Sequence, residues 1–279
     1  MGKSRSLLRL LGGAVGAGAG AAVAYRLLTE RWDLSVTRAT FGITNLPPDL
    51  EGLTIAHLTD FHVGPQTPVS FVELAVSRTD NLRPEVVVLT GDYVEDEGDD
   101  LAGCTRALGK LWAPRGVFAV LGNHDYTYGA EAVAEALSAQ GIRVLRNATA
   151  SLGNGERKLW LAGLEDTASH REEFSATRAA IPAGQPVIVL SHSPDLLPRA
   201  ADAGLDLVLS GHTHGGQVRL PWLGAPHAPS AVGPRYESGG WRMGNTRLYV
   251  NRGIGMTALA VRFSCPPEIG LFTLQGTVR

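Results

Sequence analysis

Two short runs, EVVVLT at 85–90 and GVFAVL at 116–121, are apolar almost from end to end. A strand with no polar side must be covered on both faces, the situation of a largely parallel sheet with other layers above and below it. Further strand-like runs cover 53–59, 187–190 and 205–209. Helical patterns separate them: Pro68 to Leu82, with apolar Val69, Val72, Ala75 and Val76 on one stripe, Leu101 to Trp112, and an Ala-rich stretch from Gly129 to Gln140 stopped by Gly141. A leading strand and a turn at Asn45–Pro48 fill 34–52, and a short helix is predicted near 195–203. Short strands at 142–146, 150–153 and 157–163 read as hairpins, with Gly153-Asn154-Gly155 as a turn. The last seventy residues are mostly strand and turn, at 217–220, 247–250, 259–263 and 268–274. The expected fold is α/β: a four-layer α-β-β-α sandwich of two mixed sheets flanked by helices, built from residues 34–279.

Chemistry-bearing residues follow the strands. After 53–59 stand Asp60 and His62, and after 85–90 stands Asp92. After 116–121 come Asn123, His124 and Asp125. His192 follows 187–190, and His212 and His214 follow 205–209. The carboxyl ends of strands are where α/β sheets bind ligands. Asp60/His62 and His212/His214 are i, i+2 pairs, which an extended backbone points to one side.

Asp60, His62, Asp92, Asn123, His192, His212 and His214 offer seven oxygen and nitrogen donors and no thiolate. That set suits Mn²⁺, Fe²⁺ or Zn²⁺ and excludes a structural cysteine-type zinc site. Seven donors exceed what one tetrahedral ion takes and suit two ions sharing a carboxylate. In such sites two ions about 3.5–4 Å apart clamp an in-line phosphoryl displacement and provide hydroxide near neutral pH.

The motifs DFH at 60–62, GD at 91–92, GNHD at 122–125, SH at 191–192 and GHTH at 211–214 resemble, in order, the signature of calcineurin-like metallophosphoesterases. The later HGGQVRLP, NRGIG and PPEI are similar to a membrane-associated phosphodiesterase branch of that superfamily. The resemblance implies that Asp60, His62 and His214 hold one ion and Asn123, His192 and His212 the other, with Asp92 bridging. It implies a metal-bridging hydroxide as nucleophile and His124 as the general acid that protonates the leaving oxygen, with Asp125 orienting and charging His124. Mn²⁺ is the favoured cofactor, with Zn²⁺ or Fe²⁺ as alternatives. The implied substrate is a phosphodiester or pyrophosphate, lipid-linked or nucleotide-lipid. Arg252, before Gly253-Ile254-Gly255, is a candidate for binding a distal phosphate. His57 reads as structural, His227 as a candidate for the site entrance, and Asp166 as a loop cap that could approach the site.

The first 33 residues differ in texture. Lys3, Arg5 and Arg9 precede sixteen uncharged residues from Leu10 to Tyr25, rich in Gly and Ala. The pattern fits a secretory signal, cleavable after Ala24, or a short membrane anchor. Either one places the globule at or beyond a membrane, and the resemblance to an export signal favours an extracytoplasmic position. This segment carries a net charge of +3, so the remaining chain carries −5 of the overall −2. So acidic a domain argues against nucleic acid as partner and against a nuclease on the same metal site. A non-catalytic binding protein is disfavoured because every motif is intact. The acidic run Glu95–Asp100 reads as a solvated loop leading into a helix, and Cys104 and Cys265 as free thiols.

Overall fold

In β3 (Val86–Thr90), Val86 and Val88 face one core while Val87 and Leu89 face another, and all four are buried. This alternation builds the molecule. The structure, a computed structural model, describes residues 20, 24–27, 29–96, 98–167, 170–220, 222–226, 228–230 and 236–277.

The first sheet contains β1 (Ser35–Thr44), β2 (Thr54–Leu58), β3, β4 (Val117–Val120), β5 (Arg143–Val144) and β12 (Glu268–Thr277), in the order β1-β12-β2-β3-β4-β5. The second contains β6 (Ala148–Leu152), β7 (Leu159–Gly163), β8 (Val187–Leu190), β9 (Leu207–Ser210), β10 (Gly239–Met243) and β11 (Thr246–Val250), in the order β10-β11-β9-β8-β7-β6. Both sheets are mixed. β2, β3, β4 and β5 pair in parallel, as do β7, β8, β9 and β11, while β12–β2, β6–β7 and β10–β11 are antiparallel.

One core lies between the sheets, where Ile55, Val88 and Val120 belong to the same cluster as Leu161, Ile188 and Leu209. On the outer face of the first sheet, Ala56, Val87 and Ala119 pack with α1 (Val69–Leu82), α2 (Leu101–Leu108) and α3 (Asn123–Ala139). On the outer face of the second, Val189, Val208 and Val250 pack with α4 (Phe174–Ala179) and α5 (Leu197–Asp202). The expected α-β-β-α sandwich is present, and it brings the carboxyl ends of β2, β3, β4, β8 and β9 to one rim.

Some details differ from the sequence reading. α3 begins at Asn123 rather than Gly129, because Asp125 caps its start by accepting the Gly122 amide at 2.8 Å; Gly129, with φ 132°, is a kink inside it. The expected strands at 217–220 and 259–263 reduce to the isolated bridges Val218–Phe263 and Leu220–Gly224. β10 and α4 carry too little periodicity to read from sequence. Both cysteines are buried and free. Among the described residues no helix is long and apolar enough to cross a membrane, and most of the 1–33 signal or anchor segment lies outside them.

Candidate metal centre

The turns that follow β2, β3 and β9 at the rim are strained. Asp60 (φ 52°), His62 (φ 42°), Asp92 (φ 56°), His212 (φ 71°) and His214 (φ 51°) all occupy the left-handed region. A non-glycine residue there costs about 1–3 kcal/mol and persists only where its surroundings hold it. Here the loops lock one another: the Phe61 and His62 amides donate to the Asp92 carbonyl at 2.7 and 3.1 Å, and the Gly255 amide donates to the Asp60 carbonyl at 2.7 Å. Gly255 must be glycine, since a Cβ there would lie 2.0 Å from the Phe61 carbonyl oxygen.

The strained residues aim their side chains inward. Asp60, His62 and His214 present three donor atoms within 4.8 Å of one another, and Asp92, His192 and His212 present a second such triad. In the first, His214 Nε2 lies 3.0 Å from His62 Nε2 and 3.4 Å from Asp60 Oδ1. In the second, His212 Nδ1 lies 3.1 Å from His192 Nε2, and Asn123 Oδ1 reaches the same Nε2 at 3.1 Å. Asp92 stands between the triads: its Oδ2 is 3.1 Å from His192 Nε2 and 3.4 Å from His62 Nε2. Its other oxygen accepts the His124 amide at 3.0 Å, at the N-terminus of α3, where backbone N–H groups favour a negative charge.

Imidazole nitrogens facing one another at 3.0–3.1 Å need a proton or a cation between their lone pairs. The electrostatics agree. Burial alone would lower the pKa of His62, but Asp92 and Glu95 overrule it and push it up to about 10. Burial would likewise lower His192, and Asp92 raises it to about 10. Their partners go the other way: burial and the His192 charge push His212 down to about 4, and burial and the His62 charge hold His214 well below the usual imidazole range. Asp92, which burial would raise, is held well below the usual carboxylate range by His192 and His62. In each triad one imidazole thus favours the charged form and its partner the neutral one, and divalent cations suit the same buried nitrogen and oxygen donors by taking the place of the added proton.

Backbone carbonyls set the tautomers. The Thr90 carbonyl lies 2.7 Å from His192 Nδ1, so that nitrogen carries its proton and Nε2 faces the triad. The Glu95 carbonyl does the same for His124 Nδ1 at 2.8 Å, leaving His124 Nε2 available. The expected Asp125–His124 pairing is corrected by this contact. Asp125 is fully buried, and its carboxylate accepts the amides of Asp92 (2.8 Å), Tyr93 (2.9 Å) and Gly122 (2.8 Å). It holds the Asp92 loop against the start of α3 and so acts on the centre through the backbone. Arg252 also departs from expectation. Its guanidinium donates to the Pro266 carbonyl and the Ser35 hydroxyl, both at 3.0 Å, and pairs with buried Glu268 at 3.6 Å, so it fastens the 251–255 loop to β1 and β12. Asp166 is buried, and its charge helps to raise His192. His227 lies outside the described residues.

Glu95 was misread from sequence as part of a solvated acidic loop. That reading holds for Asp96, which is exposed, and for Asp100, which is exposed and caps α2 through the Gly103 amide at 2.7 Å. Glu95 instead turns inward: its carboxylate pairs with His62 Nδ1 and accepts the Thr257 hydroxyl at 2.7 Å. A neighbouring acid run masked it; the bridge Val63–Val94 brings its loop to the rim, within reach of His62 and Thr257. Removing a carboxylate that orients a ligating histidine costs about 10–100-fold in metal affinity. Glu95→Gln is expected to weaken metal binding by that factor in a competition titration against a chelator of known affinity; unchanged affinity would contradict its role.

His57, expected to be structural, sits in β2 with Nε2 2.8 Å from Thr90 Oγ1, and burial pushes its pKa down to about 3. It stays neutral in the folded chain while the unfolded chain takes up its proton below about pH 6.5. Between those values the unfolded state binds more protons, so stability declines as pH falls, by about 1.4 kcal/mol per pH unit for this group. Denaturant unfolding of metal-free wild type and His57→Gln is expected to diverge by that slope below pH 6.5; parallel pH profiles would refute it.

Two mixed sheets with helices outside carry, at their strand ends, two nitrogen-and-oxygen triads of the kind that suits divalent metal ions. The calcineurin-like phosphoesterase family model matches residues 53–216, and the chain belongs to that family. It is 33% identical to the metallophosphoesterase YkuE of Bacillus subtilis, over 98% of both chains. It is 33% identical to phosphodiesterase YaeI of Escherichia coli, over 79% of this chain and 81% of that protein. It is 29% identical to UDP-2,3-diacylglucosamine pyrophosphatase LpxG of Chlamydia trachomatis, over 85% of this chain and 88% of that protein.

Proposed function

We propose that the protein is a two-metal phosphodiesterase that hydrolyses a phosphodiester or pyrophosphate bond in a lipid-linked or nucleotide-lipid substrate at a membrane surface. The observation that carries this reading is the position of Asp92 Oδ2, within 3.4 Å of an imidazole nitrogen from each triad. Asp60, His62 and His214 would hold one cation and Asn123, His192 and His212 the other, with Asp92 available to both. When bound, two divalent cations, with Mn²⁺ favoured over Zn²⁺ or Fe²⁺, would supply Lewis acidity toward the phosphoryl oxygens and a nucleophile at neutral pH.

The chain's own groups do the rest. His124, fixed through Nδ1 by the Glu95 carbonyl and edge-on to His62 at 4.8 Å between ring centroids, has Nε2 left to protonate the leaving oxygen. The same group stabilises charge that develops on the phosphoryl group. Water is consumed, one P–O bond breaks, and an alcohol or phosphate leaves with the His124 proton. The names of YaeI and LpxG support a diester or pyrophosphate bond, and that of LpxG a lipid-linked substrate. The basic and apolar first 33 residues support attachment to a membrane with the globule outside the cytoplasm.

With Mn²⁺ added, the protein is expected to cleave bis-p-nitrophenyl phosphate at least about tenfold faster than p-nitrophenyl phosphate. In a panel of phosphodiesters, phospholipids and nucleotide-linked lipids, the lipid-linked members are expected to be preferred. A marked preference for monoesters would contradict the proposal.

A further inference from the structure

His214 belongs to the metal centre and is also a wall of an apolar groove of about 290 Å³, formed with Gln217, Val218, Pro226, Leu259 and Val261. The groove is apolar because its polar groups are used internally. The Gln217 side-chain amide donates to the Thr257 carbonyl at 2.8 Å and accepts the Thr257 amide at 3.1 Å. The Leu259 and Val261 amides close short turns onto Thr257 and Leu259, at 2.6 and 2.8 Å. Thr257 also joins the groove to the centre, through its hydroxyl on Glu95 and the contact of Glu95 with His62.

Between Val218 and Pro226 the chain makes a turn closed by reciprocal backbone hydrogen bonds of Leu220 and Gly224, at 2.9 and 3.0 Å, and Trp222 and Leu223 stand exposed on it. Leu220, Trp222, Leu223 and Leu259 are half of the eight exposed large hydrophobic residues among those described; Leu259 lines the groove, and the other three fall in sequence between its lining residues Val218 and Pro226. An apolar groove beside a polar site, with exposed apolar side chains near it in the chain, suits a ligand with an apolar part.

We propose that this groove seats an alkyl or acyl chain of the phosphodiester substrate while the phosphate lies at the metal centre. The inference rests on the phosphodiesterase reading and deepens it by naming where the lipid part binds. Each methylene withdrawn from water is worth about a fourfold gain in affinity, so a chain filling even part of the groove strongly favours its ester.

The test uses the full chain with Mn²⁺ and two diesters sharing one leaving group, methyl and octyl p-nitrophenyl phosphate, the octyl ester below its aggregation concentration. The expected kcat/KM is at least about tenfold higher for the octyl ester. That ratio is expected to fall toward one in Leu259→Asp and in Pro226→Asp; both positions are exposed, so a charge there does not threaten the fold. Equal rates for the two esters in the wild type would overturn the groove and leave the phosphodiesterase reading standing. An octyl preference that survives both substitutions would place the chain elsewhere. A preference unaltered by the substitutions, together with a change in sedimentation, would make the groove an interface between copies and overturn the proposal. Hydrolysis of neither ester would overturn the phosphodiesterase reading, and this inference with it.

Discussion

Asp92→Asn is expected to lose at least one of two bound metal equivalents and to lower kcat on bis-p-nitrophenyl phosphate by on the order of a thousandfold. The side chain serves three neighbours at once. Oδ2 faces His192 and His62, and Oδ1 receives the His124 amide at 3.0 Å. An amide of the same shape keeps the packing and removes the charge that two cations would share. It also removes the charge that raises His62 and His192, so the folded, metal-free variant releases protons more readily than the wild type. Metal analysis and turnover measured on the same preparation check both parts. Two equivalents of metal with wild-type turnover would remove Asp92 from the centre of the account.

His124→Ala is expected to lower kcat by about 10²–10⁴-fold while metal content stays at two equivalents, because general acid catalysis contributes on that scale. The loss depends on the leaving group. p-Nitrophenolate departs with little need of a proton, whereas an alkoxide requires one. The variant is therefore expected to suffer most on a dialkyl phosphodiester and least on bis-p-nitrophenyl phosphate. Equal losses on both would assign His124 a purely electrostatic part. The geometry favours the acid, since the Glu95 carbonyl accepts only from Nδ1 and leaves Nε2 to exchange the second proton.

The layering was legible in the sequence because its strands are short, continuous and bounded by glycine. VVVL at 86–89 can be buried on both faces only in a sandwich of this kind, and in the structure its residues divide between two cores. The metal-centre residues were legible because each follows such a strand directly, so that one-dimensional spacing becomes convergence at a rim. What stayed hidden depends on contacts between distant segments. Asp125 follows His124 in sequence, yet a helix start turns its carboxylate toward the amides at 92, 93 and 122. Arg252 looks like a free cation beside two glycines until Glu268, sixteen residues on, is brought beneath it. Glu95 lies among acids that face water, and its inward turn comes from Thr257, far along the chain. Five ligating or bridging candidates sit at positive φ, a strain that no local pattern announces. The 217–220 and 259–263 segments have strand-like composition, but they meet only at the Val218–Phe263 bridge, and the Leu220 and Val261 amides close local turns onto Gly224 and Leu259 instead of extending a ladder.

The most direct test of a pair of cations held by these seven side chains is metal content measured beside activity. Purified active protein is expected to carry two divalent transition-metal ions per chain, to lose hydrolysis on exhaustive EDTA treatment, and to regain it as a second equivalent of Mn²⁺ is added. Undiminished hydrolysis by a preparation stripped of such ions would contradict it.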